Sequence, residues 1–357
     1  MTHLEQLLAI ARNTFFESIR QPVLFVALVA ATILIILSNP LAAYTLEDDQ
    51  RMFVDIGLST IFIATAVVAA FISTNVLSRE IDNKTVLTVV SKPVARPTFV
   101  LGKYLGTAGA TLLATAYLAN VFMLVEMHGV LQTARTPMHQ PVLVFGSLAG
   151  LLGIGAATWA NYFYGRNFVA TAAVLLTPLS LLAYVIAMLF DAGWKPLSAA
   201  EIFSGIGIGG SPDPVFEGQI WIAIGTMSMA TLILVAVALA ASTRLGQVLT
   251  LSVTLGVFLL GLLSDWLFAR PLRTLDAAIA AAGPDAPGLL LERAEALGFR
   301  TLYAITPNFQ VFWLADAINQ DRPIPPSYLA LVIPYGIGTI VAILAVATAL
   351  FQRREVG

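Results

Sequence analysis

The chain has 357 residues, of which 58% are hydrophobic and 11% are charged, and its mean hydropathy is +0.85. A soluble domain carries about 25% charged residues, so this composition excludes an ordinary water-soluble globular protein. The net charge of −2 gives no basis for nucleic-acid binding, and the lack of cysteine excludes disulfides and thiolate metal sites.

Residues 1–21 are predicted to form an amphipathic helix. Apolar residues such as Leu8 and Phe15 recur on one helical face, and Arg12 and Glu17 lie on the other. A helix divided in this way is too charged to cross a bilayer and lies in its interface. We predict an elbow helix that docks against the first span and a cytoplasmic partner, with a simple membrane anchor as the alternative.

Eight apolar segments are long enough to cross a bilayer, whose hydrocarbon core of about 30 Å needs roughly 20 helical residues. They lie at 22–38, 54–77, 103–125, 142–164, 168–190, 219–241, 245–268 and 328–351. The tight turn at 164–168 leaves open a re-entrant hairpin in place of the fourth and fifth spans. We therefore predict an all-α polytopic transmembrane bundle of six to eight spans over residues 22–268, completed by a last span and tail over 328–357.

Basic residues near the span ends predict the orientation of the chain. If the amino terminus is inside, the inner segments hold Arg20, Lys92 and Arg353, whereas the outer loops hold acids such as Asp48 and Glu217. Lysine and arginine are retained on the cytoplasmic side. We expect a multi-pass protein of the cell inner membrane, embedded in the lipid bilayer, with both termini in the cytoplasm.

Two outer segments are longer than the rest. Residues 269–327 contain two helix-like stretches around the break GPDAPG, and residues 306–318 are predicted to form an amphipathic helix with Pro307 at its start. We expect a small extracytoplasmic helical cap here. Residues 191–218 are rich in glycine and proline and are expected to be irregular, with one helical turn at Ala199–Phe203.

The cytoplasmic loop over residues 78–103 has the most specific pattern. An acidic, helix-like start is followed by the apolar run VLTVV, a break at Lys92 and Pro93, and a second proline, Pro97. We predict a short, proline-stiffened helix parallel to the membrane that fits into a groove of a soluble partner. The alternative is that the charges only extend to the membrane interface.

This loop resembles that of the permease subunits of ABC-2 exporters. In that family an amphipathic helix and a span precede the pattern R-E-x-x-x-x-T, a Lys or Ser before Pro, a basic residue, and Gly-Lys entering the third span. The matching residues here are Arg79, Glu80, Thr85, Lys92, Pro93, Arg96, Gly102 and Lys103. The basic tail FQRREV is also similar, and the resemblance is closest to permeases associated with multicopper enzyme maturation. The chain departs from the family in having two more predicted spans than the usual six.

The resemblance implies a mechanism of ATP-driven export. Two permease subunits, as a homodimer or heterodimer, would form the substrate pathway, and cytoplasmic ABC ATPases would bind their loops and tilt the spans. Arg79, Glu80 and Asp82 would order the loop or pair with ATPase side chains. The full set expected to couple to the ATPase is Arg79, Glu80, Asp82, Thr85, Lys92, Pro93 and Arg96.

No enzyme motif is present in the sequence. The phosphate-binding pattern G-x-x-x-x-G-K-[ST] is absent, so we expect ATP hydrolysis on a partner polypeptide. H-E-x-x-H and G-x-S-x-G are absent too, and we predict no catalytic residue, cofactor or metal. His128 and His139 share an outer loop with methionines, which we interpret as coincidence rather than a copper site.

The interiors of the spans hold almost no ionisable residues, which argues against the alternative of a proton-coupled secondary carrier. A non-transport structural membrane protein is the second alternative. The small-residue pairs Gly102 with Gly106 and Gly146 with Gly150 are expected to allow close helix packing within the chain, with a dimer face as the alternative. A lipid, a hydrophobic drug and a polymer strand all remain open as substrates.

Overall fold

The computed structural model describes residues 3–43, 49–82, 95–130, 138–203, 215–283, 289–320 and 322–352, with the side chains of α3 described as far as Val76. In these ranges the chain forms helices and no strand, apart from one isolated bridge between Phe190 and Pro196. The all-α prediction is confirmed. The helices are α1 (His3–Ile19), α2 (Pro22–Ala42), α3 (Asp49–Asp82), α4 (Arg96–His128), α5 (Gln140–Tyr164), α6 (Phe168–Ala187), α7 (Ala199–Phe203), α8 (Gly218–Ser242), α9 (Gln247–Ser264), α10 (Arg270–Ala282), α11 (Leu290–Ile305), α12 (Ala315–Asn319) and α13 (Pro326–Gln352).

Eight helices within the described ranges are long and apolar enough to cross a membrane, which confirms a polytopic helical bundle. They are α2, α3, α4, α5, α6, α8, α9 with its continuation, and α13. Helices α5 and α6 have 25 and 20 residues, or about 37 and 30 Å at 1.5 Å per residue. Each is therefore long enough for a full crossing, and a re-entrant hairpin is not required. Gly165, with φ of 61°, makes the turn between them.

Three helices form the centre of the bundle. In α3, α4 and α8, between 61% and 67% of the most apolar 18-residue stretch is buried inside the bundle. The buried share of that stretch is 17% to 33% in the other five spans. Phe53 of α3 stacks on Phe122 of α4 with ring centroids 5.2 Å apart. Gly57 makes room for this ring, because a Cβ there would lie 2.1 Å from Phe122 Cε2. Contacts this close fix α3 and α4 against each other.

Helix α1 packs mainly along α4, whereas the sequence predicted docking against the first span, α2. A Cβ at Gly102 would lie 2.7 Å from Ile10 Cγ2, and one at Gly106 would lie 2.4 Å from the Ala11 carbonyl oxygen. The two glycines open a shallow channel into which α1 fits. Close packing at this pair is thus confirmed, and the partner helix differs because the channel lies on α4.

The helical cap predicted for residues 269–327 follows the seventh span without an interruption of the helix. Helix α9 passes through a π-helical turn, Asp265–Ala269, directly into α10. Helix α11 returns beside α10, and Arg300 Nη2 donates to the Asp276 carboxylate at 3.0 Å. The two helix-like stretches predicted for 269–327 are therefore confirmed as helices, as is the single turn Ala199–Phe203. The side of the membrane on which they lie stays a prediction.

The predicted helix over 306–318 is wrong. Residues 306–309 are not helical, a short 3-10 turn follows at Gln310–Phe312, and α12 begins at Ala315. Asn308 explains the interruption, because its side chain accepts from Gln310 N at 2.9 Å and donates to Asp265 at 2.9 Å. Such local side-chain bonds compete with helix formation. The interruption also allows Phe309 and Phe312 to be buried completely.

Candidate functional site

The predicted coupling loop is described only at its two ends. Thr85, Lys92 and Pro93 lie outside the described residues, and Arg79, Glu80 and Asp82 lie in the last turns of α3, where the backbone alone is described. Arg96 is the first residue of α4. The structure therefore tests how the ends of this loop are held, and the coupling role of these seven residues stays a prediction. We call the end of the bundle that holds α1 and this loop the α1 end, and the opposite end the cap end.

A chain of three amides, of which Gln21 and Asn75 are buried and Gln247 is exposed, holds the first end of the loop. Asn75 Nδ2 donates to Gln21 Oε1 at 3.1 Å, and Gln247 Nε2 donates to Asn75 Oδ1 at 2.6 Å. Asn75 is 7% exposed. Because removing one member leaves buried polar atoms without partners, such a network fixes the elements that share it. It joins α3, near the start of the loop, to the α1–α2 joint and to the start of α9.

Arg96 holds the other end of the loop. Its Nη1 donates to the carbonyl oxygen of Phe351 at 3.2 Å and to that of Gln352. The guanidinium also lies over the Phe351 ring, which stacks on Phe99. The last carbonyls of a helix lack intrahelical partners and carry partial negative charge, which a cation stabilises. The start of α4 is thereby attached to the end of the last span, α13.

Lys103 attaches α4 to α1. It is 2% exposed, its Nζ lies 3.8 Å from Glu17 Oε2, and it lies over the Phe99 ring at 5.7 Å. A buried ammonium is costly unless it is paired, so this contact fixes the register of α1 on α4. The sequence singled out Lys103 through its position after Gly102, and the structure gives it a role inside the chain.

These contacts connect the loop mechanically to most of the bundle. Displacing the loop must displace α3 and α4, and through the contacts above it must also displace α1, α9 and α13. Close-packed interiors transmit displacement rather than absorb it. The arrangement is therefore suited to carry a force applied at the loop into the membrane-spanning helices.

Gln21, Asn75 and Gln247 were not identified from the sequence. Each lies at or near the end of an apolar segment, where a polar residue in contact with water needs no partner. Asn75 and Gln247 gave a signal, because they fall inside the apolar runs predicted for 54–77 and 245–268. A polar residue within a span marks a function or a helix contact.

The cap end holds several groups with perturbed ionisation. Burial lowers the pKa of His139, which precedes α5 and accepts from Val142 N at 3.4 Å. A hydrogen bond from Ser198 N lowers the pKa of the exposed Glu201, and burial raises the pKa of Tyr303, which donates to Asp265. Over the part of the chain that the structure describes, no group of three histidines or acids is arranged to hold a metal ion.

Comparison with known proteins gives no family assignment. No protein-family model matches the chain, and no curated protein matches it. The resemblance to ABC-2 permeases therefore depends on the residues of the loop and the two chain ends.

Proposed function

We propose that the chain is the membrane-spanning permease subunit of an ATP-driven ABC exporter. It forms the substrate pathway as one of two permease subunits and couples to a separate cytoplasmic ATPase through residues 78–103. The observation that carries this proposal is the attachment of both loop ends to the bundle, by Asn75 on one side and Arg96 on the other. A loop that transmits force to the spans needs both of its ends to be fixed on them.

The charge distribution supports a cytoplasmic location for the loop. Arg96, Arg166 and Arg244 lie at the α1 end, and the described turns 165–167 and 243–246 at that end contain no acid. The cap end holds acids such as Asp191 and Glu217 together with cations such as Lys195 and Arg270. Basic residues are retained on the cytoplasmic side of a membrane. We accordingly propose that both termini are cytoplasmic, that the cap is extracytoplasmic, and that the membrane is the cell inner membrane.

Co-purification tests the coupling. A tagged chain extracted in a gentle detergent should bring down an ATPase that carries a phosphate-binding motif. Glu80→Arg should abolish this association, because it reverses a charge at the predicted contact. Glu295→Arg is the matched control, since Glu295 is exposed on α11 at the opposite end. Absence of any such ATPase from the wild type, or its equal loss from both variants, would refute the proposal.

A further inference from the structure

An open cavity of about 720 Å³ lies at the cap end between α2, α4, α5 and α6. It exists because α2 and α5 both pack on α4 but have almost no contact with each other. The gap between them exposes the side of α4 to the surroundings. Within a membrane those surroundings are the hydrocarbon of the bilayer.

Two glycines of α5 keep the cavity open. Among the described residues, a Cβ at Gly150 would meet no atom within 4 Å, and one at Gly146 would meet only Leu124 Cδ1, at 4.0 Å. The prediction of close helix packing within the chain at this pair is therefore wrong, and the alternative of a dimer face stays a prediction. Gly153 shows the contrast, because a Cβ there would lie 2.5 Å from Leu176 Cδ2. The same helix thus packs through one glycine and leaves space beside the other two.

The depth of the cavity matches about half of the hydrocarbon core of a bilayer. Its lining on α4 begins at Tyr117 and ends at His128, a length of about 16 Å at 1.5 Å per residue. The lining on α2, from Thr32 to Ala43, has the same length and direction. A hydrocarbon core is about 30 Å thick. The cavity therefore has the depth of one leaflet and reaches the cap end of the bundle.

The lining offers little to a polar ligand. None of the described residues that line it is an aspartate, glutamate, lysine or arginine. Its polar side chains are already hydrogen-bonded within the protein: Thr32 to Tyr117, Asn39 to the Gly129 carbonyl, Ser147 to the Leu143 carbonyl, and Ser180 to the Thr177 carbonyl. A sugar, ion or peptide would lose its water here without gaining partners. A hydrocarbon chain loses nothing, and the uncharged lining matches it.

Two polar residues of the described lining, His128 and Asn39, lie at its cap end. His128 Nδ1 lies 3.3 Å from the Gly129 carbonyl oxygen, so this contact uses one ring nitrogen. Asn39 is fixed by the same carbonyl, which its Nδ2 reaches at 2.7 Å. Among the described lining residues, the Nε2 atom of His128 and the Oδ1 atom of Asn39 are thus the side-chain polar atoms at the end where a lipid headgroup would lie.

We propose that this cavity binds one hydrocarbon chain of a membrane phospholipid from the cap-end leaflet, with the headgroup beside His128 and Asn39. The site stands independently of export. Its interpretation as a binding site for the transported molecule, which would make the substrate a lipid, rests on the proposed function.

Photocrosslinking in nanodiscs tests the site. The full-length chain is placed in phospholipid that carries a diazirine in its acyl chain, and the crosslinked residues are mapped by mass spectrometry. We expect adducts on cavity-facing residues such as Ile36 and Val121. Gly150→Phe should remove them by filling the cavity. Gly155→Phe is the matched control, since Gly155 is exposed on the same helix, meets no atom within 4 Å and does not line the cavity.

Gly146→Phe serves as a second filled variant should Gly150→Phe fail to fold. Three results would overturn the proposal. The first is a wild type that gives no adducts at the lining. The second is adducts that persist in the filled variants, which would indicate annular lipid only. The third comes from a separate variant, Gly150→Cys: disulfide-linked dimers in high yield would show that a second copy covers the cavity. The sequence contains no cysteine, so such a dimer would have one interpretation. If no ATPase co-purifies with the chain but the lipid adducts are found, the proposed export function is refuted and the lipid site is not.

Discussion

Gly106→Ala should loosen α1 from the bundle. An alanine Cβ would lie 2.4 Å from the Ala11 carbonyl oxygen and 2.9 Å from Phe15 N, where ordinary contacts begin at 3.4 Å. Both are backbone atoms, so a rotamer change cannot relieve the clash. Helix α1 must therefore move away by about 1 Å.

Overpacking of this kind costs about 1–3 kcal/mol. If the cost falls on the contact between α1 and α4, the population in which α1 is detached rises about 5- to 150-fold. Gly109→Ala is the matched control on the same helix. Its Cβ would lie 3.3 Å from Phe15 Cδ2, an atom of a ring that can move. Both variants gain the same helix propensity, so their difference isolates the clash.

A single cysteine measures the detachment. Ser18 is completely buried in α1, and its Oγ has no hydrogen-bond partner among the residues that the structure describes, so Ser18→Cys is a mild change. The rate of maleimide labelling reports the detached population. We expect the labelling rate to rise about 5- to 150-fold when Gly106→Ala is added to the Ser18→Cys chain. With Gly109→Ala, the rate should stay near that of the Ser18→Cys chain. Equal rates in the two variants, within about twofold, would refute the packing argument, since the predicted rise is at least about fivefold.

Two further predictions concern the α1 end and the cap end. Arg96→Gln should lower the free energy of unfolding by about 1 kcal/mol, because Arg96 is half-buried and solvent screens part of its interaction with the end of α13. Thermal unfolding in detergent measures this loss. The control is Arg166→Gln, since Arg166 is exposed at the same end and its replacement should change the free energy of unfolding by less than about 0.5 kcal/mol. Because burial lowers the pKa of His139, the unfolded chain binds this proton more readily, and stability should fall as pH drops below about 6.5. His139→Asn keeps an acceptor for Val142 N without titrating, so its unfolding temperature should lose less than that of the wild type between pH 7 and 5, and parallel losses in the two proteins would contradict the assignment.

The spans could be predicted from the sequence because the signal for them is local. A run of about 20 apolar residues with few charges has few structures available in a bilayer. The structure changes mainly their ends, as in α4, which begins at Arg96 and ends at His128 where the sequence suggested 103–125. Helix ends depend on capping contacts such as that of Arg96 with α13, which hydropathy does not contain.

The errors arose where distant contacts decide the structure. The hydrophobic period favoured a helix over 306–318, but Asn308 bonds to Asp265, which is far away in sequence. The pairs Gly102 with Gly106 and Gly146 with Gly150 share one pattern, yet the first receives α1 and the second opens into a cavity. A spacing of four residues shows that two glycines share a face. It does not show what lies opposite that face.

The candidate site was predicted in part. The pattern around the loop singled out its charged and proline residues, and it also named Arg96 and Lys103, for which the structure shows contacts within the chain. The amide chain through Asn75 could not be inferred, because Gln21 and Gln247 come from two other parts of the sequence. The way the loop is held is a tertiary property.

Contact between residue 92 and an ATPase is the most direct test of the proposed coupling. A photoreactive amino acid is introduced in place of Lys92, and, in a matched chain, in place of Glu295 at the opposite end. After irradiation of intact cells, we expect the first chain to be crosslinked to a polypeptide that contains G-x-x-x-x-G-K-[ST], and the second chain to give no such product. Modification of a cysteine at position 92 by a membrane-impermeant reagent added outside the cells would contradict the proposal, because the loop would then face away from any source of ATP.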